Sequence, residues 1–301
     1  MDTLHLDQLR TLVSVVDLGS FEAAASFLHI TQSAVSQRIR ALEDSAGRIL
    51  LRRDRPITAT SSGETVLRTA RQMLHLEQSL FGELAEADSP QDYVTLSVAC
   101  NSDSLATWFL DAMTDLPASG NVVFDIHRED ESLSSELLRR GEVMAAVTSV
   151  ATPVQGCRAI PLGSMRYLAC ASPGFVARHL RDGSPTAALG RAPIVDFDRS
   201  DAHQAHHYRS LARRQPSGPR HFIPSSHDHV RAIVAGLGWG LLPEQLATPW
   251  LVTGEIVEVS PDRPLDVPLY WQHWKLQSPD LDALTAAVLD NARAELRPAA
   301  E

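Results

Sequence analysis

Lysine is almost missing from this chain of 301 residues: Lys275 stands alone, so arginine carries nearly all the positive charge. A GC-rich coding sequence produces such a bias, which by itself points to no function. Positive charge is also outweighed, 27 Lys and Arg against 37 Asp and Glu, for a formal net charge of -10. That balance excludes a protein that coats nucleic acid by bulk attraction. Cysteine is scarce and odd in number. Cys100, Cys157 and Cys170 lack metal-ligand spacing, which excludes a disulfide framework and fits idle thiols in a reducing cytoplasm. No run approaches the roughly 20 apolar residues of a membrane span. Met1-Asp2 opens no signal peptide, so a cytoplasmic location with no membrane partner is expected. A G-x-S-x-G elbow, a glycine-rich phosphate loop and a zincin signature are absent too, and no catalytic residue or cofactor is expected. What is present is 44% hydrophobic residues, enough for sizeable cores in two or three domains.

Residues 20–46 are the most informative stretch. Phe21, Ala24, Ala25 and Leu28 recur at the spacing of a buried helix face, with Ser20 as N-cap. Thr31 caps a second helix, opening at Gln32, in which Val35, Ile39 and Leu42 face inward. Ser33, Ser36, Gln37 and Arg40 face outward, offering the hydroxyls, amide and guanidinium that major-groove contacts require. An ordinary amphipathic pair with a polar solvent face would show the same spacing. Its surroundings favour DNA. Leu6, Leu9, Leu12, Val13 and Val16 form an earlier apolar stripe closed by Gly19, so three helices share one small core. Past Gly47, a short apolar strand, Arg52, Arg53 and Arg55 around Pro56, and then Ile57-Thr58 read as a wing. From 31 to 55, six arginines face three acids, a local charge of +3 on an acidic body. The DNA-contacting set is therefore expected to be Thr31, Gln32, Ser33, Ser36, Gln37, Arg40, Arg52, Arg53 and Arg55, on double-stranded DNA.

Thr60 caps a long connecting helix, with Glu64 in its first turn. Two heptad stripes follow, Val66/Met73/Leu80 and Leu67/Leu74/Phe81, the pattern of a helix that pairs with its copy in a homodimer. Packing within the chain is the alternative. Asp88-Ser89-Pro90 ends the helix.

From Asp92 the pattern changes to alternating strands and helices. Strands are predicted at 93–99, 122–126, 143–149, 166–171, 193–197, 221–224 and 239–242, with two more near Glu255 and Leu269. Helices are predicted through Trp108 and Met113, before Gly141, and over 279–296. Such alternation implies parallel sheets with ligand sites beyond their carboxyl ends. The chain divides into 1–59 (winged helix-turn-helix, mostly α), 60–89 (linker helix) and 90–301, a two-lobed α/β effector domain. Lobe I would comprise 90–162 and 268–301, and lobe II 163–267.

The first 65 residues resemble the winged helix-turn-helix of LysR-type transcriptional regulators, notably Ser20-Phe21, Ala24-Ala25, Gln32 to Ser36, Ile39, Ala41-Leu42-Glu43 and Gly63. The remainder resembles the branch that regulates lysine and arginine export, the LysG and ArgP type. The matching segments are 101–108, 129–131, 138–142, 236–244 and 270–274. Ser102 departs from the branch, where alanine is usual, and 203–229 has little close match. The resemblance implies a periplasmic-binding-protein-like portion holding effector between two lobes, dimers paired into tetramers, and contact with RNA polymerase. It also implies activation of an amino-acid exporter gene in response to lysine, arginine or histidine.

The residues point the same way. Asn101, Ser102, Asp103 and Ser104 follow the first strand of this portion, with Ser104 read as the next helix's N-cap, where amide groups suit a carboxylate. Glu129 and Asp130 follow the second strand, near the same edge, and would suit an added cationic group. Capping serines and solvated acids would account for the same residues. Ser225 and Ser226 are candidates from the opposite wall. Six of twelve histidines lie between 203 and 229, without a cysteine pair or zincin spacing, so no metal site is expected. An α/β hydrolase and a solute-binding protein are the competing classes, the first lacking a catalytic motif and the second an export signal.

Overall fold

The computed structural model describes residues 5–84, 93–114, 116, 122–129, 134–181 and 184–298. The chain opens with α1 (Leu6–Asp17), α2 (Phe21–Phe27) and α3 (Gln32–Ala46). Leu9, Leu12, Val15, Ala24, Val35, Ile39 and Leu42 interlock as one core between them. β1 (Leu51–Arg52) and β2 (Thr58–Ala59) pair antiparallel as a short wing. α4 (Ser61–Leu84) follows, 24 residues or about 36 Å of helix. The Thr60 hydroxyl accepts from the Gly63 amide at 3.0 Å and caps it. Gly63 has no substitute there, because a Cβ would sit 2.0 Å from the Leu50 carbonyl oxygen.

The larger portion begins with β3 (Val94–Cys100), α5 (Ser102–Thr107), α6 (Phe109–Thr114), β4 (Val122–Arg128), α7 (Ser134–Arg140) and β5 (Ala145–Thr148). Next come β6 (Cys157–Ala171), α8 (Pro173–His179), α9 (Pro185–Leu189), β7 (Ile194–Asp196), α10 (His203–Ala212), β8 (Arg220–Phe222) and α11 (Ser226–Val234). β9 (Gly240–Pro243), α12 (Glu244–Thr253), β10 (Val257–Glu258), β11 (Leu265–Trp274) and α13 (Pro279–Glu295) complete it. β3 lies parallel to β4 and β5, and β7 parallel to β8. The long strands β6 and β11 run antiparallel to each other and belong to both lobes. Their amino- and carboxyl-terminal halves respectively extend the β5-β3-β4 layer. Their other halves extend a second layer through β9 and β10. The register between them shifts at Leu269/Tyr270, where the sheet passes from one lobe to the other.

Three expectations change. The main sheet is mixed rather than parallel, because β6, β9, β10 and β11 join antiparallel. β6 starts at Cys157, not 166; Pro161 interrupts the strand signal, yet the strand is held by ten residue pairs with β11. The helix through Trp108 is two, broken where Trp108 turns its ring into the core against Phe109.

α4 is seated on both domains. Arg71 donates to the Arg140 carbonyl at 2.8 Å, in the larger portion, and its other nitrogen pairs with Asp17 of α1. Arg10 of α1 holds Glu77 at 2.6 Å. His75 Nε2 and Ser278 Oγ share a hydrogen bond of 2.9 Å. Gly141, at φ +70°, lets the turn after α7 approach so closely that a Cβ would lie 2.9 Å from the Arg68 Cα.

Candidate functional site

Local chemistry fixes the helix face and wing expected to meet DNA. Ser20 accepts from the Ala23 amide at 3.1 Å and starts α2; Thr31 accepts from Ala34 at 3.2 Å and starts α3. Once Val35, Ile39 and Leu42 are buried, helical geometry turns the other side outward. Thr31, Gln32, Ser33, Gln37 and Arg40 are exposed and Ser36 is half-buried. Thr31 and Ser33 share a hydroxyl hydrogen bond of 2.9 Å. Arg38 points elsewhere, held by Asp7 at 3.1 Å. Glu43 accepts from the Leu50 and Leu51 amides at 2.8 and 3.3 Å, tying the end of α3 to the wing. Arg52, Arg53 and Arg55 stand exposed on that wing, and the Ile57 amide anchors its return to the Gly19 carbonyl at 2.9 Å. Arg40 and the wing arginines have no ion-pair partner among the described residues, which leaves their charge available to phosphate.

A cavity of about 550 Å³ opens between the lobes of the larger portion. Asn101, Ser102, Asp103, Arg128, Glu129 and Ser149 line it from the β3-β4-β5 side. The other wall includes Tyr167, the turn from Phe197 to Gln204, Ser226, His229 and the end of β9. Asn101, not Ser104, is the N-cap of α5, accepting from the Ser104 amide at 2.9 Å. Asp103 accepts from the Tyr167 hydroxyl at 2.9 Å and the Ser226 hydroxyl at 2.7 Å, both from the opposite lobe. Asp201 accepts from the Phe197 and His203 amides at 2.9 Å each. Asp198 accepts from Ser200, whose hydrogen bonds hold its carboxyl below the usual range.

Of the residues expected to meet effector, Asn101, Ser102, Asp103, Glu129 and Ser226 line this cavity. Ser104 and Ser225 do not, and the reasons are geometric. One turn into α5, Ser104 is wholly buried away from the cleft. Ser225 spends its hydroxyl on capping α11, accepting from Asp228 at 3.4 Å. Asp130 lies outside the described residues. Arg128, Tyr167, Asp198, Asp201, His203 and His229 also line the cavity and were not anticipated. The turn 197–203 follows the carboxyl end of β7, the same position that singled out 101–104 after β3. Tyr167 lies within a strand and had no such signal.

Buried ionisable groups surround the cleft. Asp196 pairs with Arg220 at 2.6 Å, but burial outweighs that partner and pushes its carboxyl up to about 6. Burial also holds His207 and His229 below the ordinary imidazole range. Among the described residues, no group of three or more His, Cys, Asp or Glu is disposed to hold a metal ion. No helix among them is long and apolar enough to cross a membrane.

Comparison with known proteins agrees with this architecture. Residues 6–64 match the bacterial regulatory helix-turn-helix protein, lysR family, and residues 93–293 match the LysR substrate binding domain. The lysine export transcriptional regulatory protein LysG of Corynebacterium efficiens is 43% identical over 302 residues, 99% of this chain and 100% of that protein. The crystal structure of ArgP from Mycobacterium tuberculosis superposes with a TM-score of 0.89 at 44% identity, covering 98% of this chain and all of that one. Full-length LysG from Corynebacterium glutamicum with bound effector arginine superposes with a TM-score of 0.82 at 38% identity, again over 98% of this chain and 100% of the other. The chain belongs to the LysR family of bacterial transcriptional regulators.

Proposed function

We propose that this regulator answers to a basic amino acid, lysine, arginine or histidine, bound between its lobes, and activates a gene for amino-acid export. The observation that carries the reading is the charge of the cleft. Asp103, Glu129, Asp198 and Asp201 line a cavity of about 550 Å³ that offers Arg128 and two histidines in return. A zwitterion with one extra cationic group suits such an acidic wall, and the volume suits a small ligand. Its relatives support the reading: LysG of Corynebacterium efficiens is a lysine export regulator, and LysG of Corynebacterium glutamicum has been seen with arginine bound.

In this reading the ligand's carboxylate meets Asn101 and Ser102, and its cationic groups meet Asp103, Glu129 or Asp130. Thr31, Gln32, Ser33, Ser36, Gln37 and Arg40 meet the major groove, and Arg52, Arg53 and Arg55 hold phosphate or the minor groove. The division at 59/60 and 89/90, the second outside the described residues, with lobes exchanging at 162/163 and 267/268, belongs to the same proposal. Thr60 caps α4, and Gly163 and Leu269 flank the strand crossover. Pairing through α4 makes the dimer, pairing of the effector portions makes the tetramer, and RNA polymerase is the further partner. A thermal-shift panel of the twenty amino acids tests the effector assignment: the basic three should raise the melting temperature, and leucine or glutamate should not.

A further inference from the structure

Deep in the second-lobe wall of the cleft, the His229 ring is only 4% exposed, and neither of its nitrogens has a hydrogen-bond partner. It stands in the first turn of α11, three residues after Ser226, and lines the cavity. The ring is pressed against β9, where a Cβ on Gly240 would come within 2.9 Å of Nε2. The Ile223 backbone comes near it without completing a hydrogen bond. Two unpaired polar nitrogens in a buried place cost stability until a partner arrives.

The surroundings are those of a cation. Asp103, from α5, and Asp201, from the turn before α10, both lie close enough to favour positive charge at the ring. Burial outweighs them and keeps the imidazole below its ordinary range, so at neutral pH one nitrogen donates and the other accepts. Protein donors orient both carboxylates: Tyr167 and Ser226 on Asp103, and the Phe197 and His203 amides on Asp201. Each carboxylate oxygen accepts more than one hydrogen bond, so both acids keep capacity for a ligand.

We propose that His229 contacts the effector and, with Asp103 and Asp201, forms the pocket for the terminal cationic group of the effector's side chain. This rests on the reading of the cleft as a basic amino-acid site, and adds which end of the ligand lies in the second lobe. The α-carboxylate remains at the first-lobe wall with Asn101, Ser102 and Arg128. A guanidinium presents five planar N–H donors, so it can grip one carboxylate with two of them and still reach the second carboxylate and an imidazole nitrogen, while an ammonium's three donors meet each acceptor only once. His229 therefore selects arginine over lysine.

Calorimetry on the full-length protein with L-arginine, L-lysine and L-citrulline, the neutral isostere of arginine, tests this. His229→Leu should weaken arginine binding by about tenfold or more and narrow the arginine-to-lysine ratio. It should not lower the melting temperature of the ligand-free protein, because it removes two unpaired buried nitrogens. His229→Gln, which restores an acceptor, should recover most of the loss. Citrulline should bind far more weakly than arginine; equal binding overturns the cation pocket. Arginine affinity within about twofold of wild type in folded His229→Leu overturns the inference and leaves the basic amino-acid reading standing. A wild-type protein that binds neither arginine, lysine nor histidine overturns both. Should the leucine variant fail to fold, the ring ¹⁵N resonances of His229 in the wild type decide: they should move on arginine addition, and unmoved resonances contradict the contact.

Discussion

Ser226 Oγ donates to Asp103 Oδ1 across the cleft at 2.7 Å, and this hydrogen bond joins the two lobes. Tyr167 donates to the other oxygen of the same carboxylate at 2.9 Å, so one acid from the start of α5 takes two donors from the facing lobe. A cation entering beside Asp103 therefore acts on a group through which the two lobes meet. Ligand binding shifts that placement only by its differential affinity for the two arrangements.

Arg71 should carry that shift towards the DNA. One of its nitrogens meets the Arg140 carbonyl at the end of α7, while another meets Asp17 of the DNA-binding domain. The segment leading into α7 starts from Glu129, on the cleft wall. Arg71→Ala should leave effector affinity near wild type and reduce the effector's influence on operator affinity by about fivefold. Fluorescence titration of labelled operator with and without arginine measures this, and an undiminished effect would place the coupling elsewhere.

Base reading and phosphate contact should separate by mutation. Gln37→Ala is expected to relax sequence preference by about 1–3 kcal/mol, and Arg53→Ala to weaken all sequences alike with a salt slope smaller by about 1. Gel shifts on cognate and scrambled duplexes across a salt series distinguish the two.

The linker helix uses its apolar stripes differently. Leu67 and Ala70 are buried in the chain's own core, and Leu74 is half-buried in a groove shared with Val13 and Phe27 of the DNA-binding domain. Met73, Leu80, Phe81 and Leu84 are exposed. Leu80→Glu should therefore weaken self-association by at least about 2 kcal/mol, some thirtyfold in dissociation constant, with little effect on subunit folding. Light scattering that finds the variant as large as wild type would move the seam off this face.

Stability should fall as pH drops from 7 to 5. Burial lowers the pKa of His75, His207, His229 and His273, so the unfolded chain takes up protons before the folded one does. Their contribution is present above the ordinary imidazole pKa of about 6.5 and is lost below it. Asp196 works in the opposite sense: its pKa is raised from 3.8 to about 6, so its ionisation costs stability, and acidification relieves that cost. Asp196→Asn should therefore steepen the acid limb of the urea midpoint measured against pH, and an unchanged slope would contradict the burial argument.

What the sequence revealed follows from how local each signal is. Ser20 and Thr31 cap helices because hydroxyl and amide lie three residues apart, and the stripe Val35, Ile39, Leu42 repeats within one helix. The first half of β6, around Pro161, carries no local strand signal, because it is held by register with β11, more than a hundred residues away. Asn101 and Ser104 are both able to cap a helix, and only the observed start of α5 decides for Asn101. Tyr167 and His229 reach the cleft through tertiary packing, which no spacing along the chain encodes. Asp201 was within reach, since the strand-end argument applies to β7 as it does to β3.

Calorimetry of the full-length protein and its Asp103→Asn variant against arginine, lysine, leucine and glutamate tests the central claim most directly. The account predicts that arginine and lysine bind the wild type, that leucine and glutamate do not, and that Asp103→Asn weakens the basic ligands by about tenfold or more while remaining folded. Tight binding of a neutral or acidic metabolite, with none of arginine, lysine or histidine, would contradict it.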